Sequence, residues 1–350
     1  MRVVVTGATG NVGTSLVQAL STDPGVESVV GLARRLPGLE VAKTEWVVAD
    51  VVHSDLAPLF MGADAVVHLA WLIQPSRDLH AVHQTNVIGS ERVFRAVADA
   101  GVKVLVYASS VGVYSPGPKD RAVDEQWPTD GVATSFYARH KAEVERRLDR
   151  FEAEFPDVRV VRLRPGLIFK REAASGVRRV FLGPFVPTRL VTPRLIPVVP
   201  GVDGLRLQGV HSADVADAYR FALTRDVRGA FNIAAEPVLD PPQLARLLGA
   251  RTLPLPAAAL RGAAWLSWRL RAQPTPPGWV DLALAVPVMD VSRARHELGW
   301  SPRFDAGEAL LELLDGIHQG AGIDTPPLSP MTGGWLRRRE LRTGVGATST

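Results

Sequence analysis

The sequence predicts an α/β fold with a doubly wound parallel sheet and a smaller C-terminal lobe. Up to about residue 165, short runs rich in β-branched residues alternate with longer segments of helical period, which is the pattern of a parallel sheet with crossover helices. Hydrophobic residues make up 46% of the 350 residues, enough for one large or two modest domains around a sizeable core. No apolar stretch approaches the roughly 20 residues that a membrane-spanning helix needs.

Six strands are predicted in this part of the chain, over residues 2–6, 28–33, 45–48, 65–69, 103–108 and 159–163. The helical period between them predicts crossover helices over residues 13–20, 87–100 and 135–155. Ligands of such sheets bind beyond the carboxyl ends of the strands. The residues that follow each strand are therefore the candidates for a site.

A glycine-rich turn follows the first predicted strand and opens the first predicted helix. Glycines at this spacing allow the backbone to approach a pyrophosphate at a helix N-terminus. An ordinary turn between a strand and a helix is the alternative, but the strand before the glycines and the helix after them favour a Rossmann-type dinucleotide site. The predicted contacts are Gly7, Thr9, Gly10, Asn11, Val12 and Gly13.

Two arginines occupy the end of the second predicted strand, about twenty positions after the glycine turn. An acidic residue there binds the ribose hydroxyls in folds that prefer NAD, whereas this sequence has Arg34 and Arg35. Guanidinium groups suit the extra phosphate of NADP. The sequence therefore favours NADP(H) over NAD(H), which stays open, and two solvated loop arginines are the alternative.

A tyrosine and a lysine four residues apart fall on one face of a predicted helix. The ammonium of Lys141 is expected to lower the pKa of the Tyr137 phenol, which makes it a suitable acid and base for interconverting an alcohol and a ketone. Ser110 follows the fifth predicted strand and could hydrogen-bond a carbonyl oxygen. The predicted catalytic residues are thus Ser110, Tyr137 and Lys141. The alternatives are that Tyr137 and Lys141 are an ordinary surface pair and that Ser110 only caps the strand.

In order and spacing, these residues resemble the extended short-chain dehydrogenases/reductases, the family of NAD(P)-dependent epimerases and dehydratases. The resemblance covers about residues 1–315. It also rests on Asp50-Val51, His68-Leu69-Ala70, Asn86 with Gly89, the segment Ser109 to Tyr114, and Arg164-Pro165-Gly166. The resemblance implies that Asp50 and Val51 contact the adenine and that Ala70 lies beside a ribose, with Leu69 and Asn86 as further cofactor contacts. It also implies that Lys141 holds the nicotinamide ribose and that Pro165 and Leu167 lie behind the carboxamide.

Two departures from the family pattern narrow the chemistry. Dehydratases of the family follow the catalytic Ser or Thr with an Asp-Glu pair, and this chain has Val111-Gly112, which argues against sugar dehydration. Where many members bind a sugar-nucleotide diphosphate with Arg, this chain has Leu207. The segment 167–207 is rich in Pro and apolar side chains, so a hydrophobic carbonyl compound or alcohol is favoured as the substrate over a nucleotide sugar. The alternative is that these side chains only form the core of the second lobe.

The sequence therefore predicts an oxidoreductase that transfers a hydride between NADP(H) and a carbinol or carbonyl carbon of a small molecule, with Tyr137 handling the proton. A sugar-nucleotide epimerase with tightly held NAD is one alternative. A non-catalytic protein that senses NAD(P) is another. No metal site is expected, because His211 has no second His at ligand spacing and precedes a predicted helix.

The predicted organisation is a dinucleotide-binding domain over residues 1–166, to which some later segments return, a substrate lobe over 167–330 and a disordered basic tail over 331–350. A helix beginning at Ser212 or Asp214 and a strand over 230–234 are placed in the substrate lobe. Residues 257–271 could form a basic amphipathic helix for a membrane surface, but packing on the protein itself is favoured.

The expected partners follow from charge and resemblance. Of the net charge of +4, the last twenty residues hold +3, four Arg against one Glu, so no nucleic acid is expected, and no membrane partner either. The absence of Cys excludes disulfides and thiolate chemistry, and a cytoplasmic protein is expected. The helices near 84–100 and 135–155 resemble those that family members pair across a two-fold axis, which predicts a homodimer.

Overall fold

A seven-stranded parallel sheet forms the centre of the protein, and the computed structural model describes residues 1–73, 77–183 and 185–333. The strands of the described ranges are β1 (Arg2–Thr6), β2 (Ser28–Ala33), β3 (Thr44–Val48), β4 (Ala65–His68), β5 (Val104–Ala108), β6 (Ala122–Val123), β7 (Arg159–Pro165), β8 (Leu167–Phe169), β9 (Val198–Gly201), β10 (Gly209–His211), β11 (Gly229–Ile233), β12 (Arg251–Pro254) and β13 (Val288–Met289). The sheet order is β11-β7-β5-β4-β1-β2-β3. The predicted α/β class and doubly wound sheet are confirmed.

Helices cover both faces of this sheet, and others belong to the second lobe. They are α1 (Asn11–Thr22), α2 (Ala57–Phe60), α3 (Leu79–His83), α4 (Gly89–Asp99), α5 (Phe136–Glu154), α6 (Ala174–Val177), α7 (Ser212–Thr224), α8 (Pro241–Leu248), α9 (Ala257–Arg269), α10 (Gly278–Ala285), α11 (Ser292–His296) and α12 (Ala306–Gln319). A short π-helical segment, Gln84–Ile88, joins α3 to α4.

Side chains alternate between the two faces of the sheet, because successive residues of a strand point in opposite directions. In β1, Val3 and Val5 belong to the core under α1 and α7, and Val4 belongs to the core under α4 and α5. Both cores are fully buried at these positions. This explains why the central strands are apolar throughout, as expected for a parallel sheet covered on both faces.

Part of the predicted second lobe belongs to the main sheet. Strand β11 pairs in parallel with β7, and α7 packs against α1. The placement of this strand in the second lobe was wrong, and it is one of the later segments that return to the first domain. The N-cap of α7 also differs from the prediction: it is His211, whose Nδ1 accepts a hydrogen bond from the Ala213 N–H at 3.2 Å.

The second lobe is built from two short parallel strand pairs, β8 with β10 and β9 with β12, together with α8, α9, α10 and α12. Its core contains Phe169, Leu239, Leu313 and Ile317. No residue of α9 is fully buried, but Leu260, Ala264 and Trp268 along one side are half-buried, and the helix contacts α10. One side of the helix therefore packs on the protein itself, as favoured, while Trp265 and Leu266 are exposed. The predicted tail begins with a short 3-10 helix, Pro330–Gly333, and the rest of it, 334–350, lies outside the described residues.

None of the helices in residues 1–73, 77–183 and 185–333 combines the length and the apolar character needed to cross a bilayer.

A buried ion pair joins α5 to two strands of the sheet. The Glu145 carboxylate accepts hydrogen bonds from Nε and Nη2 of Arg164, at 2.9 and 2.5 Å, and from Ser109 Oγ. Arg162 lies 3.6 Å from the same carboxylate. Burial acts to raise the pKa of Glu145, but the arginine charges and hydrogen bonds hold it below its ordinary value, so the carboxylate is ionised at neutral pH.

Removing this buried negative charge should destabilise the protein strongly. Glu145→Gln keeps the side-chain size but leaves the buried charge of Arg164 without its carboxylate partner, whereas Arg162 keeps Asp149 and Glu152. Breaking one side of a buried pair costs about 3–5 kcal/mol. We expect a loss of this size in the free energy of unfolding, measured by urea denaturation and circular dichroism. Glu154→Gln is the matched control, because its pair with Arg95 is 53% and 57% exposed and is worth less than about 1 kcal/mol. Equal small losses in both variants would contradict this assignment.

Candidate active site

The glycine turn presses its backbone against the loop that follows β4. Gly7 has a φ of +70°, and a Cβ at this position would lie 2.6 Å from the Ala70 N atom. At Gly13, a Cβ would lie 2.5 Å from the Gly7 carbonyl oxygen. Neither position accepts a side chain, so the turn and the first turn of α1 stay in close contact.

The N-terminus of α1 has the features of an anion site. Its N-cap is Gly10, which offers no side chain to the first N–H groups, and the first turn contains no acidic residue. The side-chain oxygen of Asn11 is buried without a hydrogen-bond partner among the described residues. Backbone N–H groups and the helix dipole at such an end attract a phosphate, so these residues fit the diphosphate of a dinucleotide.

A cleft of about 180 Å³ opens beside this turn. Nine predicted cofactor residues line it: Gly7, Thr9, Gly10, Arg34, Arg35, Asp50, Val51, Leu69 and Ala70. The sequence analysis missed its other lining residues, which are Thr6, Leu32, Ala33, Ala49, Leu56, Trp71, Leu72, Thr85, Pro326 and Pro327. Several of these residues follow or end a strand, so they could have been predicted from the rule that ligands bind beyond the carboxyl ends of the strands. No local sequence signal indicates the two prolines.

The two prolines come from the C-terminal end of the described chain, which crosses the cleft beside the loop after β2. The Gly38 N–H donates a hydrogen bond to the Asp324 carbonyl oxygen at 3.1 Å. This contact holds the segment next to the arginines of the loop. One wall of the cleft is therefore supplied by Pro326 and Pro327, more than 310 positions after the glycine turn.

Seven predicted cofactor residues lie outside the lining of this cleft: Asn11, Val12, Gly13, Asn86, Lys141, Pro165 and Leu167. Asn11 donates a hydrogen bond through Nδ2 to the Ile168 carbonyl oxygen at 3.3 Å, which ties α1 to the second lobe. Asn86 is fully buried and holds Leu72 by both backbone groups, at 2.7 and 3.0 Å. Asn86 thus contacts the cleft only through the loop that it fixes.

A buried histidine fixes the start of the same loop. His68 Nδ1 lies 2.7 Å from Thr6 Oγ1, and its Nε2 lies 2.9 Å from Ser90 Oγ. Burial, together with the nearby Lys141, lowers the pKa of His68 to about 3. The ring is therefore neutral at physiological pH and joins β1, β4 and α4 by hydrogen bonds alone.

The three predicted catalytic residues meet at the carboxyl end of β5. Ser110 Oγ accepts a hydrogen bond from the Gly112 N–H at 3.0 Å, while Tyr137 and Lys141 lie on the first turns of α5. A Cβ on Gly112 would lie 2.9 Å from the Tyr137 ring and 3.4 Å from Ser110 Oγ. Gly112 therefore lets the phenol ring lie against the serine, a role that the sequence analysis missed.

Lys141 faces away from the phenol. Its Nζ donates a hydrogen bond to the Ala108 carbonyl oxygen at 2.6 Å and lies 3.5 Å from the ring centre of Trp71, but 5.9 Å from that of Tyr137. Burial raises the pKa of Tyr137 to about 12, and the hydrogen bond with Ser110 offsets only part of this rise. The expected lowering of this pKa was wrong for this arrangement, because burial dominates and the Lys141 ammonium is directed away from the phenol.

Aromatic rings enclose Tyr137 on the side of the second lobe. The ring of Trp279, on α10, lies 5.0 Å from it and that of Trp71 lies 6.0 Å from it. Phe181, from the predicted apolar segment 167–207, lies 5.3 Å from Trp279. The indole nitrogens of both tryptophans are buried without a hydrogen-bond partner within the described ranges. The surroundings of the phenol are thus apolar, with two indole N–H donors.

Leu207 stands where the family resemblance implies a diphosphate-binding arginine, and it carries no charge. Leu207 instead exchanges two backbone hydrogen bonds with Leu239, at 3.1 and 2.7 Å. The neighbouring Arg206 donates to the Lys119 carbonyl oxygen at 2.6 Å. Within the part of the chain that the structure describes, no three His, Asp or Glu side chains come together as metal ligands.

The sequence matches the NAD dependent epimerase/dehydratase family over residues 3–234. The chain is 27% identical, over 92% of its length, to an uncharacterized protein of Mycobacterium tuberculosis, of which it spans only 31%. It is 37% identical to an L-arabinose 1-dehydrogenase (NAD(P)(+)) of Haloferax volcanii, over 32% of this chain and 42% of the relative. The solved UDP-glucose 4-epimerase of Thermus thermophilus, in complex with NAD, has a TM-score of 0.67 and 22% identity, covering 91% of this chain and 99% of that one.

The structural likeness establishes the fold, and the family match covers the larger part of the chain. The glycine turn, the cleft and the residues at the end of β5 lie within the matched range. The chain belongs to the NAD dependent epimerase/dehydratase family, within the extended short-chain dehydrogenases/reductases.

Proposed function

We propose that the protein is an NAD(P)-dependent oxidoreductase that interconverts a carbonyl group and an alcohol on a small apolar molecule. The observation that carries this proposal is the meeting of Ser110, Tyr137 and Lys141 at the carboxyl end of β5. A protein that only senses the cofactor has no need of a buried phenol beside a serine. This geometry therefore favours catalysis over the sensing alternative.

A bound nicotinamide cofactor would supply the hydride for reduction, and the protein would supply the proton. Ser110 Oγ donates a hydrogen bond that holds the carbonyl oxygen, and Tyr137 Oη transfers its proton to that oxygen as negative charge develops there. With a pKa raised to about 12 by burial, the phenol is protonated at neutral pH and is ready to act as the acid. Lys141 would hold the nicotinamide ribose, after exchanging the Trp71 ring for the ribose hydroxyls.

The surroundings of Tyr137 support an apolar substrate. Trp71, Trp279 and Phe181 offer ring faces, and the two indole N–H groups could bind a substrate oxygen. Small-molecule sites commonly combine such apolar walls with a few fixed polar groups. The uncharged Leu207 lacks the group that would neutralise a sugar-nucleotide diphosphate.

The second candidate is an epimerase that oxidises and re-reduces the same carbon with retained NAD. It is favoured by the fold neighbours, which include UDP-sugar 4-epimerases solved with NAD. The same serine and tyrosine would serve both half-reactions. The two candidates differ in cofactor turnover, because an epimerase consumes no net cofactor.

NADP(H) is the proposed cofactor, with NAD(H) as the alternative. Arg34 and Arg35 are exposed and line the cleft at the end of β2. Two guanidinium groups there would bind a 2′-phosphate with charge-assisted hydrogen bonds. Asp50 holds a turn through the Val52 N–H at 2.8 Å and offers its cleft side to the adenine.

We also propose a homodimer in which α4 and α5 pair with their counterparts. The two helices are already joined by Arg147, which contacts Glu91 and Glu143. Their outer faces carry exposed charges of both signs, including Arg95, Arg146 and Glu91. A two-fold axis would place such faces against each other in an interface dominated by ion pairs.

Removal of the phenol hydroxyl tests the catalytic assignment. Tyr137→Phe keeps the ring against Gly112 but cannot transfer a proton, so we expect kcat to fall by about 10²–10⁴-fold with unchanged cofactor affinity. Turnover is followed by the absorbance of the reduced nicotinamide. Tyr219→Phe, which removes another buried hydroxyl from the core of α7, should retain wild-type kcat. Near-normal turnover in Tyr137→Phe would refute the assignment.

Calorimetry with both nucleotides tests the cofactor preference. We expect NADPH to bind about tenfold or more tightly than NADH, since a charge-assisted hydrogen bond is worth about 1.5–3 kcal/mol. Arg34→Ala and Arg35→Ala should each remove most of this difference without weakening NADH binding. Arg150→Ala, an exposed arginine on α5, serves as the control. Equal affinities in the wild-type protein would show that the two arginines are solvated and would contradict the NADP(H) preference.

A substrate screen separates the oxidoreductase from the epimerase. Apolar ketones are compared with UDP, dTDP and GDP sugars, while cofactor absorbance and product stereochemistry are both recorded. We expect stoichiometric consumption of reduced cofactor with an apolar ketone. Conversion of a nucleotide sugar to its epimer without net cofactor change would instead establish the second candidate.

A further inference from the structure

One stretch of the second lobe has no buried residue and exposes several large apolar side chains. Between residues 246 and 273 no residue is buried, a span that includes β12 and α9. Its large apolar side chains, Leu253, Trp265, Leu266 and Leu270, are each 50–69% exposed. Burying such side chains is favourable by about 25 cal/mol per Å², and exposed apolar patches of this kind mark interaction sites.

The same stretch is basic throughout. Between Asp240 and Asp281 the sequence contains no acidic residue and five arginines: Arg246, Arg251, Arg261, Arg269 and Arg271. On α9, Arg261, Trp265 and Arg269 follow each other at four-residue intervals, beside Leu266 and Leu270. Residues at this spacing share one face of a helix. Arginine heads therefore flank apolar side chains along the helix surface.

We propose that this stretch is a docking surface for a bilayer rich in anionic lipids, with α9 lying in the plane of the interface. A helix of 13 residues is about 20 Å long, too short to cross a hydrocarbon core of about 30 Å, but it suits an interfacial position. Trp and Leu enter the boundary between headgroups and acyl chains, while arginines bind lipid phosphates. No acidic residue between Asp240 and Asp281 would repel an anionic surface, and the Asp281 carboxylate is paired with Arg261.

The docking surface is joined to the candidate active site on two sides. Arg77, on the loop after β4, places its guanidinium 4.5 Å from the ring centre of Trp268 and donates to the Trp268 carbonyl oxygen at 2.7 Å. Arg261 pairs with Asp281 on α10, the helix that carries Trp279. An apolar compound leaving the bilayer would thus arrive beside the rings that enclose Tyr137. The docking itself does not depend on the reaction proposed above.

Vesicle flotation tests this proposal with the full chain. We expect the protein to float with vesicles of phosphatidylcholine and phosphatidylglycerol, to bind pure phosphatidylcholine at least about tenfold more weakly, and to dissociate as salt rises. The triple variant Trp265→Ser, Leu266→Ser, Leu270→Ser should lose flotation. Because these side chains are exposed, its thermal unfolding should match that of the wild type. Met61→Ser with Met331→Ser, two exposed residues outside the stretch, is the matched control and should float normally.

Three results would overturn the proposal. The first is a wild-type protein that does not float, or that floats equally with neutral vesicles. The second is a dimer in light scattering that the triple variant abolishes while vesicle binding is absent, which would make the stretch a contact between copies. The third is loss of flotation in a variant ending at residue 333 that retains the whole stretch, since binding would then belong to the basic residues 334–350.

Discussion

A single buried carboxylate holds the catalytic end of the sheet together. Glu145 lies inside the protein, where an uncompensated charge is costly, so its neighbours must supply positive charge and hydrogen bonds. Arg164 comes from β7, Ser109 from the end of β5 and Glu145 itself from α5. Tyr137 lies two turns earlier on α5, and Ser110 is next to Ser109. The contacts that compensate the Glu145 charge therefore also fix the distance between Tyr137 and Ser110, the two residues proposed to contact the substrate oxygen.

The network continues into the later part of the chain. Arg164 also donates to Tyr114 Oη at 3.1 Å, and Tyr114 donates to the side-chain oxygen of Asn232 at 2.6 Å. Asn232 lies on β11, the strand that returns to the sheet from beyond residue 200. The same polar contacts that order the catalytic end thus attach the last strand of the sheet. The first domain is complete only with these later residues.

The sequence was informative where a local pattern has one physical meaning. Strands β1 and β2 have the predicted bounds, because β-branched residues buried on both faces leave no other choice. The position of β11 could not be found this way, since pairing with β7 is a long-range contact. Charged residues such as Glu145 and Arg164 also look like surface positions in the sequence, and only packing shows that they neutralise each other inside.

The site shows the same division between local and distant information. The glycine turn, Ser110, Tyr137 and Lys141 are each part of a short motif, and the structure gathers them on the predicted edge of the sheet. Trp279 and Phe181 belong to segments without a motif, so their approach to Tyr137 was not predictable. The phenol pKa was misjudged because spacing along a helix gives the nearest charge but says nothing of burial.

The wall that Pro326 and Pro327 give to the cleft has a consequence for how the protein is made. The other lining residues all come from the first 85 residues, which leave the ribosome first. Pro326 and Pro327 follow about 240 residues after the last of these. A nascent chain can form the glycine turn and most of the sheet before its cleft has both walls, so the complete nucleotide site forms only after Pro326 and Pro327 have been added.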